Sequence, residues 1–152
     1  MSLEPAATPP EPILPDPAES DPAALAVVLY PAPVLRQIAA PLAEVTGHVQ
    51  AVARKMIELM YEARGVGLAA PQVGLPWRMF VANPAHEPGE DRVFINPVLR
   101  DPAAVTAKHD EGCLSLPHIT AEVTRPAAIT IDALDIDGKP FSLSSDGFDA
   151  RV

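Results

Sequence analysis

Residues 65–74 read Gly65-Val66-Gly67-Leu68-Ala69-Ala70-Pro71-Gln72-Val73-Gly74. Three glycines, two alanines and a proline make this stretch too glycine-rich for a helix and too small-sided for an ordinary strand. Glycine is used where backbone must pass very close to something else. The stretch is therefore a junction, and its flanks set the fold class. Before it, Val49, Val52, Ala53, Met56, Met60 and Ala63 recur at the 3.6-residue period, with Leu59 beside the stripe. That spacing predicts a helix over about 47–64, with Thr46 as N-cap and Gly65 as a left-handed C-terminal cap.

After the junction the period changes. Short β candidates follow at Arg78–Ala82, Val93–Asn96, Val105–Lys108, Ala121–Thr124 and Ile129–Ile136. Asp137-Gly138 is a hairpin turn signal, and Phe141–Leu143 is the returning strand. Ile129 and Ile131 alternate with Thr130 and Asp132, which predicts one buried sheet face. A helix followed by many short strands reads as α+β, not as a βαβ succession. Ahead of the helix, order is expected from Leu25–Tyr30, and Pro31 and Pro33 predict an extended lead-in to Val34–Ala39.

The ends read differently. Residues 1–22 hold seven of the nineteen prolines and five acids (Glu4, Glu11, Asp16, Glu19, Asp21) with no base. Such a segment cannot bury enough surface to offset its ordering entropy. We read 1–24 as a disordered, partly polyproline-II tail and 25–152 as one domain. The tail has neither the basic n-region nor the apolar h-region of a signal peptide, so the cytoplasm is the expected compartment. At the other end Ser144-Ser145-Asp146 suggests an N-cap cluster. Gly147–Val152 then reads as the first turns of a helix that the sequence does not carry further.

Composition excludes several classes. A pI near 4.7 disfavours a nucleic-acid binder that neutralises phosphates. One cysteine excludes an internal disulfide framework and any multi-cysteine zinc module. No apolar run reaches the roughly 18 residues of a membrane span. Of the hydrophobic 48%, 25 residues are alanine, so the core is lean in large side chains.

Cys113, in Glu111-Gly112-Cys113-Leu114-Ser115-Leu116-Pro117, is either a small buried side chain or a thiolate ligand or nucleophile. His109 and His118 flank it at −4 and +5. On extended backbone those offsets fall on opposite faces, so the spacing does not point to a shared metal site. His48 falls in the first helical turn, and His86 lies in the Pro84–Asp91 loop, which reads as solvated. Gln72 is either a surface amide or a donor to a developing oxyanion. Glu111 reads as an ion-pair partner of Arg125 more readily than as a general base.

Gly65-Val66-Gly67-Leu68-Ala69-Ala70-Pro71-Gln72 resembles the GxGxAAxQ signature of peptide deformylases, and Glu111-Gly112-Cys113-Leu114-Ser115 resembles their EGCLS signature. Tyr30–Arg36, Ile95-Asn96-Pro97, Val123–Pro126, Ala133–Gly138 and Ala150-Arg151-Val152 follow the family in the same order. The resemblance implies an α+β fold of antiparallel sheets around a metal-bearing helix. It implies removal of the N-formyl group from the initiator methionine of nascent proteins. Cys113 would then be a ligand to Fe2+ or Zn2+. Gln72 and the Leu114 backbone N–H would hold the formyl oxyanion, and Val66, Gly67 and Gly112 would border the substrate. Formylmethionyl peptides, and the ribosome that carries them, are the implied partners. The family's HExxH signature, which supplies two histidine ligands and the proton-transfer glutamate, does not occur in these 152 residues. The expectation is a deformylase-like domain, without that helix, that is inactive in its 152-residue form. The alternative is a non-catalytic module, or remnant, that binds N-terminal peptides.

Overall fold

The computed structural model describes residues 20–152. Thr46 opens the α-helix, α1 (Gly47–Glu62), by accepting the Val49 N–H on Oγ1 at 3.3 Å. The cap satisfies one of the amides that every helix start leaves unpaired. The expected stripe is buried, except that Leu59 belongs to it and Ala63 does not. The C-terminal cap is also one residue earlier than expected. Arg64, with φ 57°, takes the left-handed position. Gly65 N–H donates to the Met60 carbonyl at 2.8 Å and Arg64 N–H to that of Tyr61 at 2.9 Å, the paired bonds of a Schellman motif. Gly65 is needed for another reason. A Cβ there would lie 2.7 Å from Leu114 Cδ1.

Seven antiparallel strands follow: β1 (Gly67–Ala69), β2 (Met79–Ala82), β3 (Arg92–Arg100), β4 (Thr106–Cys113), β5 (Leu116–Pro126), β6 (Ala128–Leu134) and β7 (Pro140–Asp146). Five form a sheet in the order β1-β2-β3-β6-β7, and β4-β5 form a separate ribbon. The α+β architecture and its antiparallel sheets are as expected. The strand lengths are not. Most of Val105–Lys108 and all of Ala121–Thr124 belong to one long hairpin, β4-β5, in which β5 is largely exposed and β4 is half-buried at Ala107, His109 and Glu111. With no large apolar side chain at those half-buried positions the ribbon carries no hydrophobic alternation, so its length leaves little trace in the sequence. β3 runs past Asn96 to Arg100 through a register shift at Asn96-Pro97. Asn96 sits at φ 52° there, and its amide clasps both the N–H and the carbonyl of Leu42 at 2.8 Å. The Asp137-Gly138 turn is as read, with Gly138 at φ 77°.

The pleat divides the sheet's side chains between two clusters. Leu68, Met79, Val81, Val93 and Ile95 face α1 and join Val52, Met56, Met60 and Trp77 in the main core. Ala82, Phe94, Ile131 and Ala133 face the other way with Phe80, Phe141 and Leu143. Phe80 and Phe94 stack there, centroids 4.4 Å apart.

Residues 22–24 and 144–152 differ from expectation. Residues 1–19 of the expected tail lie outside the described residues. Pro22–Ala24 form a 3-10 turn against α1, capped by Asp21, whose Oδ1 accepts the Ala23 N–H at 2.9 Å. Pro33 starts a second 3-10 turn, Pro33–Arg36, where its missing N–H costs nothing. Ser144–Asp146 do not cap a helix. They stay in β7 opposite Ala128–Thr130, and the Ser144 and Thr130 hydroxyls bond across the strands at 2.9 Å. Gly147 (φ 58°) then turns the chain into a short 3-10 turn, Asp149–Arg151. No helix among the described residues is long and apolar enough to cross a membrane.

Candidate active site

β1 ends at Ala69, and Ala70–Val73 close into a 3-10 turn stopped by Gly74 at φ 86°. The turn brings Gln72 back over the strand end, where its Oε1 accepts the Ala69 N–H at 3.0 Å. That bond fixes which way the amide points. The oxygen is committed inward, so Nε2 can only donate outward. It lies 3.5 Å from Cys113 Sγ and 3.4 Å from Ser115 Oγ.

Cys113 and Ser115 sit at the tip of the β4-β5 hairpin. Gly112 pairs with Thr120 but Cys113 pairs with Leu116, so Pro117, His118 and Ile119 bulge out of register. His118 takes φ 65° in that bulge. The tip is anchored from three sides. The Tyr30 N–H donates to the buried Ser115's carbonyl at 2.9 Å, Gln72 bonds to it, and Leu114 leans on Gly65. Gly67 faces Val152: a Cβ on it would meet Val152 Cγ1 at 2.8 Å. The structure thus brings Gln72 to Cys113 and Ser115, and Leu114 to Gly65, while the Val66 carbonyl accepts the Asn83 N–H and Gly112 pairs with Thr120 across the hairpin. The Gln72–Cys113 contact spans 41 residues of chain.

Cys113 is exposed and its thiol is free. As a thiolate it is a soft ligand with a hydrogen-bond donor beside it. The rest of a metal site is not nearby. Among the described residues no three histidine, cysteine, aspartate or glutamate side chains converge. His109 is on β4 opposite Val123, and His48 bonds Ser20 Oγ at 2.9 Å and edges the Trp77 ring. These residues do not fit an ion that needs three protein ligands.

Glu111 is an ion-pair partner. Arg125 grips it with two bonds, 2.7 and 2.6 Å, from β5. Those hydrogen bonds hold its carboxyl below the usual range, which leaves it a poor proton acceptor. Across the sheet, Phe80, Phe94, Ile131, Leu143, Arg125 and Val152 line an apolar groove of about 700 Å³.

Sequence reasoning missed one cluster. Asn83 is fully buried at the end of β2. Its amide donates to Tyr61 Oη (2.8 Å), the Glu87 carbonyl (2.8 Å) and Asp91 Oδ1 (3.1 Å). Tyr61 in turn donates to Asp91 at 2.5 Å. Tyr61 lies off the apolar stripe of α1, so periodicity gives it no role. The only hint was a polar residue directly after the apolar run Met79–Ala82.

Residues 24–152 match the family model described as Polypeptide deformylase. The peptide deformylase of Polynucleobacter necessarius subsp. necessarius (strain STIR1) is 44% identical over 125 residues, covering 82% of this chain and 73% of that relative. The peptide deformylase of Brucella suis biovar 1 (strain 1330) is 41% identical over 123 residues, covering 80% and 70%. Among solved structures, peptide deformylase from Thermotoga maritima superposes with a TM-score of 0.80 at 34% identity, covering 84% of this chain and 85% of that one.

Proposed function

The chain belongs to the polypeptide deformylase family, and from that premise we propose that the Gln72–Cys113–Leu114 cluster is its site for the formyl group of N-formylmethionyl peptides. The observation that carries this reading is the 3.5 Å approach of Gln72 Nε2 to Cys113 Sγ. The Ala69 N–H has already set the amide's orientation, so a formyl oxygen placed beside the thiolate meets a donor that needs no reorganisation. The Leu114 N–H is the second donor in this reading. Val66, Gly67 and Gly112 border the peptide, and the ribosome is where such peptides arise. Cys113 is the one residue here that would bind the family's Fe2+ or Zn2+.

Among the described residues no further ligand pair converges on Cys113, and the nearby carboxylate Glu111 is held by Arg125. We therefore propose that this 152-residue polypeptide does not turn over substrate by itself. Formate release from formyl-Met-Ala-Ser, and iron and zinc content, test this on the purified chain. We expect no formate and no stoichiometric metal. Turnover that disappears in Cys113→Ser would overturn the inactivity. Titration with formyl-Met-Ala tests the site: Val66, Gly67 and Leu114 amide resonances should shift, and no shift at millimolar peptide would remove the assignment.

A further inference from the structure

We infer that Asn83 is a positioning residue that sets the geometry of Gly65–Gly67 and, through Gly65, of Leu114. The inference rests on the reading of Val66, Gly67 and Leu114 as site residues, and adds what holds them in place. Asn83 touches the chain leaving α1 at both of its ends. Its side chain bonds the Tyr61 hydroxyl at 2.8 Å, and its backbone N–H bonds the Val66 carbonyl at 2.9 Å. The six residues 61–66 are thereby closed into a ring through one buried asparagine. Within the ring the path is already pinned, by Arg64 N–H to the Tyr61 carbonyl at 2.9 Å and by the left-handed Arg64. Little slack remains, so a shift at Tyr61 or Asn83 must appear at Gly65 and Val66.

Gly65 passes that shift on. Its Cα side is so close to Leu114 that even a Cβ would sit 2.7 Å from Cδ1. Close-packed contacts of this kind transmit displacement and do not absorb it. An asparagine suits the task because it must act in both directions. Its amide NH2 donates to Tyr61, Glu87 and Asp91, while Oδ1 accepts the Glu87 N–H at 3.3 Å. A carboxylate at this position would confront Asp91, and an apolar side chain would leave buried partners unpaired.

Spectra of the 152-residue chain test this with three variants. Asn83→Ala and Tyr61→Phe each open the ring. Asn96→Ala removes a comparable two-bond clasp, on Leu42, elsewhere in the same sheet. We expect the first two to shift the Gly65–Gly67 amides and the Leu114 methyls. They should also speed amide exchange at 65–67 by about tenfold. Asn96→Ala should lower the melting temperature and leave those signals in place. Equal changes in all three variants would overturn the inference, as would changes in Asn83→Ala and Tyr61→Phe that stop at residues 84–91. If Asn83→Ala does not fold, Tyr61→Phe alone decides by the same signals, since its ring is partly exposed and its loss is mild. Formyl-Met-Ala added to the unaltered chain is a separate arm. No response there removes the substrate reading, and the coupling is still judged from the ligand-free spectra.

Discussion

The two faces of the five-stranded sheet are built from alternate residues of the same strands, and they end in different surroundings. On β2, Met79 and Val81 lie under α1, while Phe80 and Ala82 point to the groove. On the α1 face the core is closed: Val52, Ala53, Met56 and Met60 are all fully buried. On the other face Phe80, Phe94 and Leu143 line a groove of about 700 Å³, with Phe141 tilted against Phe94. The β4-β5 ribbon beyond it packs mainly on itself. Apolar pattern alone does not close a core. A face is closed only when a second layer covers it.

The contrast makes a direct prediction, and it carries the largest effect. Met56→Ala should cost about 2–5 kcal/mol in urea unfolding, because its cavity cannot collapse. Leu143→Ala, on the half-open face, should cost under about 1.5 kcal/mol. Equal costs would mean that the groove is filled in solution. Gly65→Ala probes the point where the closed side meets the ribbon. It should cost about 1–3 kcal/mol, because the added methyl overpacks against Leu114 Cδ1, and should displace the Leu114 methyl signals. Unmoved methyls would show that the ribbon tip is not seated on Gly65.

Smaller effects sharpen the comparison. Arg64→Gly should stabilise the chain by about 0.5–1 kcal/mol in the same melts, since a left-handed cap suits glycine better. The smallest effect belongs to Asp132 on β6. Arg100 hydrogen-bonds its carboxylate, with a further bond from Ser142, and together they hold its pKa below the usual value. A depressed folded pKa adds stability above the unfolded-state pKa and loses it as pH falls through the folded one. Asp132→Asn should therefore lower the melting temperature slightly at pH 7 and not at pH 2. A difference that persists at pH 2 would assign the effect to packing.

Legibility varied with the kind of interaction. α1 was readable because burial on one face imposes the 3.6 period on Val49 through Met60. Its cap was readable because Thr46 bonds only three residues along. The β4-β5 hairpin was half readable, because β5 is largely exposed and the half-buried face of β4 carries Ala107, His109 and Glu111, so no hydrophobic alternation marks the strands. Its tip was readable as a motif and not as a shape, since the bulge at Pro117–Ile119 depends on pairing across the hairpin. Asn83 was legible only as a polar residue after the apolar run Met79–Ala82, with no role attached. Its partners are 22 and 8 residues away, and no local pattern joins them.

By itself the sequence determined the α+β class, the order of helix and strands, the two signatures and the family they point to. Those properties follow from local period, local capping and the residues themselves. Tertiary structure alone decided that Gln72 faces Cys113 across 41 residues, that Arg64 and not Gly65 turns left-handed, and that Asn83 closes residues 61–66 into a ring. Each of these depends on side chains meeting across the fold. Which of them meet is settled by packing α1, the sheet and the ribbon tip together, not by any one segment's own preference.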